Sequence, residues 1–455
     1  MNYQSLLEQQ KQYFNSNITR DLTWRATQLK QVKKLVIDNE AELLSALYSD
    51  LGKPKLEAWV TELSYITGDV DHMLKHLKKW SKARKVSTPI VVQPGKSFIK
   101  PEPQGSVLVM GAWNYPVQLV FAPLVAVIAA GNCAVIKPSE LSPTVSSVIA
   151  KLIPRYLDNK AFSVVEGAIP ETSALLELPF DHIMYTGNGA VGKIVMTAAA
   201  KHLTPVTLEL GGKSPVFIDS SADIKITVQR LAWGKWMNAG QTCIAPDYIL
   251  TTEAMVAPLI KAFKTEIQQM FGDNPQQSDS YGRIVNERHT ERLATNLDSG
   301  EIVHGGQFDI TNKYFEPTIV LNPELDSKLM TDEIFGAILP IVTVADYQSA
   351  KQLIISREKP LASYLFTKDK EQQRDWVNTI SSGSQCINDV IMFNAVPDLP
   401  FGGTGASGMG QYSGKSGFDN FSHMKSILKR PFIRDLPVRF APYKDWKLKF
   451  LRKIR

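Results

Sequence analysis

The sequence predicts an α/β protein with a doubly wound parallel sheet, a second α/β domain and a β arm. Three observations carry this. Short apolar strands alternate with helical segments from Ser106 onward. A β-branched, proline-punctuated stretch at 86–103, VSTPIVVQPGKSFIKPEP, stands apart from that rhythm. The chain has 455 residues, 44% hydrophobic and 21% charged, too long for one core and of ordinary soluble composition.

Residues 2–80 read as helical, with Leu29, Val32, Val36, Leu43, Leu44 and Leu47 recurring at helical spacing. Gly52 and Pro54 end one helix and open another, which is expected to carry Trp59, Leu63, Ile66, Val70 and Met73 on one side. The 86–103 stretch reads as a hairpin turning at Pro94 and Gly95. A lone hairpin is only marginally stable, so it is expected to pair elsewhere, most naturally with a second subunit. The strands that follow are SVLVM (106–110), CAVIK (133–137), FSVVEG (162–167), HIMYTG (182–187) and PVTLEL (205–210), with helices at 116–130, 143–157 and 188–202 between them. Parallel strands require such crossovers, and ligands then bind beyond their carboxyl ends. A second series begins near Pro215, with strands at 215–219 and 247–252, helices at about 222–238 and 254–271, and further units at 286–304 and 346–367. A late strand, HMKSILKR (423–430), is placed to pair with the arm.

The apolar stretch from Val117 to Ile136 is not a membrane span, since its uninterrupted run, Leu119 to Ala130, has 12 residues where about 20 are needed. Three dispersed cysteines without a CxxC pair argue against a disulfide framework or zinc knuckle and for a reducing, cytoplasmic setting. The N-terminus shows no secretory pattern, and no metal-ligand cluster occurs among the histidines. Of the net charge of +6, five units sit in YKDWKLKFLRKIR (443–455). That concentration makes a nucleic-acid-binding face a poor reading. Trp446, Phe450, Leu451 and Ile454 fall on one helical side of this tail. It is either a basic amphipathic helix on an anionic membrane surface or a solvated terminus.

Seven loop motifs lie where chemistry is expected. GAWNYP (111–116) sets Asn114 ahead of a helix, as an N-cap or as an amide donor to an oxyanion. KPSE (137–140) follows the next strand and places Lys137 and Glu140 either as surface charges at a helix entrance or as a grip on ribose hydroxyls. TGNGAVGK (186–193) contains GxGxxG at Gly187, Gly189 and Gly192 between a strand and a helix, a Rossmann-like context for a pyrophosphate. On spacing alone Glu209, in LELGGK (208–213), serves a cofactor ribose. EIFGAILP (333–340) and PFGGTGASGMG (400–410) complete the set. GQTCIAP (240–246) carries Cys243, a thiol beside glycine and open backbone.

Taken in order and spacing, WNYP, KPSE, TGxxxVGK, ELGGK, GQTC, EIFGxxLP and PFGGxGxSGxG resemble the aldehyde dehydrogenase superfamily over residues from about 20 to 425, and GQTCIAPDY with GKSGFD (414–419) is similar to its class 3, fatty-aldehyde branch. The resemblance implies a nucleophilic Cys243, an oxyanion donor in Asn114 and a general base in Glu209, which displaces the ribose reading of that carboxylate. It assigns the adenosine ribose to Lys137 and Glu140, the pyrophosphate to Gly187, Asn188, Gly189, Ala190, Val191 and Gly192, and the nicotinamide ribose to Glu333 with Phe335 beside it. Asn188 stands where the family usually has Ser. The implied cofactor is NAD, with NADP also admitted; Glu140 leans toward NAD because a 2′-phosphate would meet a carboxylate. The implied substrate is an apolar aldehyde, aliphatic, aromatic or isoprenoid, with Tyr115, Trp233 and Trp236 as candidate tunnel walls or core. Asn388 is carried over as a site neighbour, and Cys133 and Cys386 as structural. The rival activity is CoA-acylating aldehyde oxidation, against which Glu209 argues; a non-enzymatic binding protein is the other alternative. The domain reading is 1–85 and 104–209 for NAD(P), 210–395 for catalysis, 86–103 and 396–430 as oligomerisation and bridging segments, and 431–455 as the basic tail, with a homodimer as the expected assembly.

Overall fold

The computed structural model describes residues 2–433 and 435–453. Two compact units are present, one of Met1–Ser81 with Glu102–His423, the other of Lys82–Pro101 with Met424–Arg455. The first unit holds two sheets. In one, six strands lie in the order Gly408–Met409, Val206–Glu209, His182–Thr186, Ser106–Met110, Cys133–Lys137 and Phe162–Val164. All neighbours are parallel except the two-residue strand Gly408–Met409. Met110 pairs with both Lys137 and Tyr185, and Thr186 with Glu209, so the carboxyl ends carrying the motifs line up along one edge. The second sheet has seven strands, ordered Glu301–His304, Thr318–Leu321, Ile338–Thr343, Tyr248–Thr251, Pro215–Ile218, Ala362–Phe366 and Ser384–Ile387, antiparallel only at its first pair. This is the α/β architecture the alternation predicts.

Helix Gln118–Ala130 is buried along its whole length, which explains its membrane-like composition. Among the described residues no helix is long and apolar enough to cross a membrane. Its carboxyl end is held by the buried Arg25, whose guanidinium donates to Ala129 O (3.2 Å) and Thr19 O (2.9 Å).

One expectation needs correcting. Leu63, Ile66, Val70 and Met73 are buried, but Trp59 is 41% exposed. A π-helical turn at Trp59–Leu63 carries one residue more than an α-turn, which swings Trp59 off the apolar stripe and leaves Ala58 and Glu62 on it. The second unit is built on a three-stranded sheet of Arg84–Val86, Lys96–Pro103 and Ser422–Lys429, with Arg84 opposite Ile99, so the late strand does join the arm.

Gly131 ends the buried helix at φ +94°, and a Cβ there would fall 2.5 Å from the Arg25 guanidinium. Gly131→Ala is expected to lose about 1–2 kcal/mol through the left-handed backbone alone, with the Arg25 bonds disturbed as well. The urea midpoint should fall at unchanged slope; an unchanged midpoint would contradict this.

Candidate active site

Cys243 lies in a segment that almost every hydrogen bond pins. Helix Ile224–Trp236 ends in three successive left-handed residues, Asn238 (φ 52°), Ala239 (φ 53°) and Gly240 (φ 80°). Gly240 has no alternative, since a Cβ would sit 2.1 Å from Gly336 O. The Gln241 side chain donates to Asn238 O and Arg283 O, both at 2.9 Å, and accepts from Val285 N at 2.9 Å. Thr242 Oγ1 and Tyr115 OH are 2.6 Å apart, and Ala245 N closes a turn onto Thr242 O. The thiol is thereby presented by rigid backbone. Burial, then the carboxylates of Glu333 and Glu209, push the Cys243 thiol well above its ordinary range, against the pull of the Cys243 and Ile244 N–H groups.

Glu209 is 3% exposed and neither carboxyl oxygen has a protein hydrogen-bond partner. Burial alone raises it well above the usual carboxylate range. Asn114, also 3% exposed, turns its amide toward the cysteine loop and donates from Nδ2 to Gln241 O at 3.0 Å. It does not cap the following helix. The Val117 and Gln118 N–H groups are taken instead by Glu62 Oε2, at 2.8 and 3.2 Å.

The residues expected to hold a dinucleotide fit one. Asn188 caps helix Gly189–Ala200 by accepting from Val191 N at 3.0 Å. The helix has no acidic residue in its first turn, Gly189 opens onto space, and Gly192 packs close to Leu210. A helix N-terminus of this kind accepts a pyrophosphate. The cap takes the Asn188 Oδ1 as acceptor and makes no use of its Nδ2 donors. Ala190 and Val191 belong to that first turn. Gly187 continues the sheet, its N–H reaching Glu209 O at 3.0 Å. Lys137 is buried at the next strand end, its ammonium depressed by burial, with Glu140 Oε2 3.7 Å away and exposed. Thr186 Oγ1 beside them is buried without a protein partner. Glu333 reaches to Gly211, where a Cβ would fall 1.9 Å from its Oε2, and burial pushes its carboxyl up to about 8. The chain around Glu333 is tied down by Asp247, which accepts from Ile334 N (3.1 Å), and by Arg292, which donates to Ile334 O (2.7 Å). Phe335, at φ 45°, packs edge-on against Trp113 at 5.2 Å.

Other sequence candidates fall outside this cluster. Trp236 is core, donating to Ala337 O at 2.9 Å, while Trp233 is partly exposed. Tyr115 is buried beneath the cysteine loop. Asn388 is engaged with Thr367, accepting from its N–H (2.8 Å) and donating to its carbonyl (3.1 Å). Cys133 and Cys386 are unpaired, and burial pushes their thiols up to about 12 and about 11. The sequence reading missed Lys53, Glu57, Glu62, Asn238 and Gln241, which build the floor of the site. The available signal was Glu62, one acidic residue at helical spacing from the apolar Ile66.

The aldehyde dehydrogenase family model matches residues 2–427. A 4,4'-diaponeurosporen-aldehyde dehydrogenase of Staphylococcus aureus is 47% identical over 444 residues, 97% of this chain and 96% of that protein. The dimeric, NADP-preferring aldehyde dehydrogenase of Canis lupus familiaris is 43% identical over 431 residues, 94% of this chain and 95% of that one. The substrate-bound structure of Staphylococcus aureus AldH superposes with a TM-score of 0.97 at 46% identity, covering all of both chains. A cysteine loop, a buried carboxyl and an amide donor converging at the carboxyl edge of a dinucleotide-type sheet agree with that match, and the chain belongs to the aldehyde dehydrogenase family, NAD(P)-dependent oxidoreductases acting on aldehydes.

Proposed function

We propose that Cys243, Asn114 and Glu209 carry out hydrolytic aldehyde oxidation. The single observation behind this is Glu209, a buried carboxyl with no protein partner, acting electrostatically on the thiol. Cys243 releases its proton to solvent, and the thiolate sulfur bonds to the carbonyl carbon. The carbonyl π pair moves onto oxygen, where the Asn114 amide and the Cys243 N–H donate to it. When bound, NAD(P)⁺ supplies the acceptor for the hydride that leaves carbon as the C–H bond breaks. The acyl group remains on Cys243 as a thioester. Glu209, in its ionised form, then takes a proton from water, whose oxygen attacks the acyl carbon; the C–S bond breaks with its electron pair on sulfur, the acid departs, and Glu209 returns its proton to solvent. Lys137 and Glu140 would hold the adenosine ribose, the 187–192 turn the pyrophosphate, and Glu333 the second ribose. The finer division is 1–85 and 104–209 as cofactor domain, 210–395 as catalytic domain, and 86–103 with 396–430 as oligomerisation and bridging segments of a homodimer. The substrate class is apolar aldehydes, as the name of the staphylococcal relative suggests for that enzyme.

Glu209→Gln tests the reading. It should release one equivalent of NAD(P)H per site and then stall as acyl-enzyme, with turnover lower by about 10²–10⁴. Undiminished turnover would sink the assignment. The wild-type kcat should rise with pH along a limb displaced upward from ordinary carboxylates. Because the folded pKa is raised, stability present below the unfolded value of about 4.3 is lost as pH rises through the folded one. Glu209→Gln should therefore be more resistant to urea than wild type at alkaline pH.

Helix Asp445–Lys453 exposes Trp446, Leu448, Phe450 and Leu451 among lysines, which supports a peripheral membrane reading for a cytoplasmic enzyme. Ile454 lies outside the described residues. Vesicles with anionic lipid should bind the full chain reversibly and less at high salt; binding unaltered by deletion of 443–455 would refute it.

A further inference from the structure

Lys53 and Glu62 form an ion pair with both side chains fully buried, Nζ to Oε1 at 2.5 Å. Such pairs seldom stabilise a fold over apolar residues of equal volume, since desolvation offsets their attraction. The remaining bonds of this pair all go to the Asn114 loop. Lys53 Nζ donates to Asn114 O at 3.0 Å and lies 4.0 Å from the centre of the Tyr115 ring. Glu62 Oε2 accepts from Val117 N and Gln118 N, doing the capping that Asn114 would otherwise do. Asn114 O has a second donor, Asn238 Nδ2 at 2.8 Å, which also bonds Gln241 O, the acceptor of the Asn114 amide. The Asn238 N–H in turn donates to Glu57 Oε1 at 2.9 Å. One short stretch, Lys53 to Glu62, thus ties the amide loop to the cysteine loop.

We propose that Lys53 and Glu62 are positioning residues for the oxyanion site. They hold the Asn114 backbone from below and cap its helix, so that the Asn114 side-chain amide, one N–H of which is given to Gln241 O, can turn its other N–H to the carbonyl oxygen at Cys243. The proposal rests on the oxyanion role given to Asn114 above.

The test compares Lys53→Met/Glu62→Gln, Glu62→Gln alone, Asn114→Ala and the triple variant. Four readouts are taken: the thermal melt, NAD binding, alkylation of Cys243 by iodoacetamide, and kcat/KM for aldehyde. Alkylation develops no oxyanion, so it separates carbonyl activation from thiol access. Asn114→Ala should lower kcat/KM by about 10²–10³. The double variant should fold, bind NAD and alkylate at about the wild-type rate, yet lose roughly tenfold or more in kcat/KM, and the triple variant should be no worse than Asn114→Ala. The proposal is overturned by near-wild-type kcat/KM in the double variant, by losses that multiply in the triple variant, or by loss of the fold in both Glu62 variants, which would assign the pair to stability. If Asn114→Ala itself is fully active, the oxyanion reading fails instead.

Discussion

The site is governed by the burial of ionisable groups without a matching countercharge. Cys243, Glu209 and Glu333 share one cleft, burial raises each of them, and the two carboxylates further oppose ionisation of the thiol. Groups so coupled cannot all carry charge together. Of the nearby cations, Lys53 pairs with Glu62, Lys213 with Asp247 at 2.5 Å, and Arg292 donates to backbone carbonyls, while Lys213, Arg292 and the buried Lys235 act on Glu333 through space. For Glu333 this opposes the effect of burial without cancelling it. A carboxyl buried as Glu209 is becomes a strong base once ionised, which suits a step that must deprotonate water.

Rigidity of the backbone complements that electrostatic arrangement. Two non-glycine residues in left-handed geometry shortly before the thiol, Asn238 and Ala239, are strained, and persist because surrounding bonds over-determine them. Asn238, Gln241, Glu57 and Tyr115 supply those bonds. The oxyanion donor and the nucleophile are fixed to the same network, so their separation does not depend on substrate to organise it.

Much of this was legible in the sequence, and the reason is local. Strands such as CAVIK and HIMYT are short, apolar and bounded by turn residues, and buried parallel strands read that way. Their ends fix where the motifs lie, which is why Lys137, Gly187 and Glu209 align along one edge. The floor of the site was not legible. Lys53 and Glu62 look like ordinary helix charges, and only a π-turn, which shifts the helical phase by one residue, brings Glu62 under the loop and sends Trp59 outward. The capping role of Asn188 was not legible, because loop and cap motifs share residue types. The two tryptophans before Cys243 divide between surface and core, a difference of helical phase that spacing did not resolve.

The central claim is that Glu209 rests as a neutral acid in the folded enzyme. Difference infrared spectroscopy of wild type against Glu209→Gln, in the cofactor-free enzyme at neutral pH, reads that protonation state directly. A protonated-carboxyl stretch present in wild type and missing in the variant is the predicted result. A carboxylate band in its place would contradict the account.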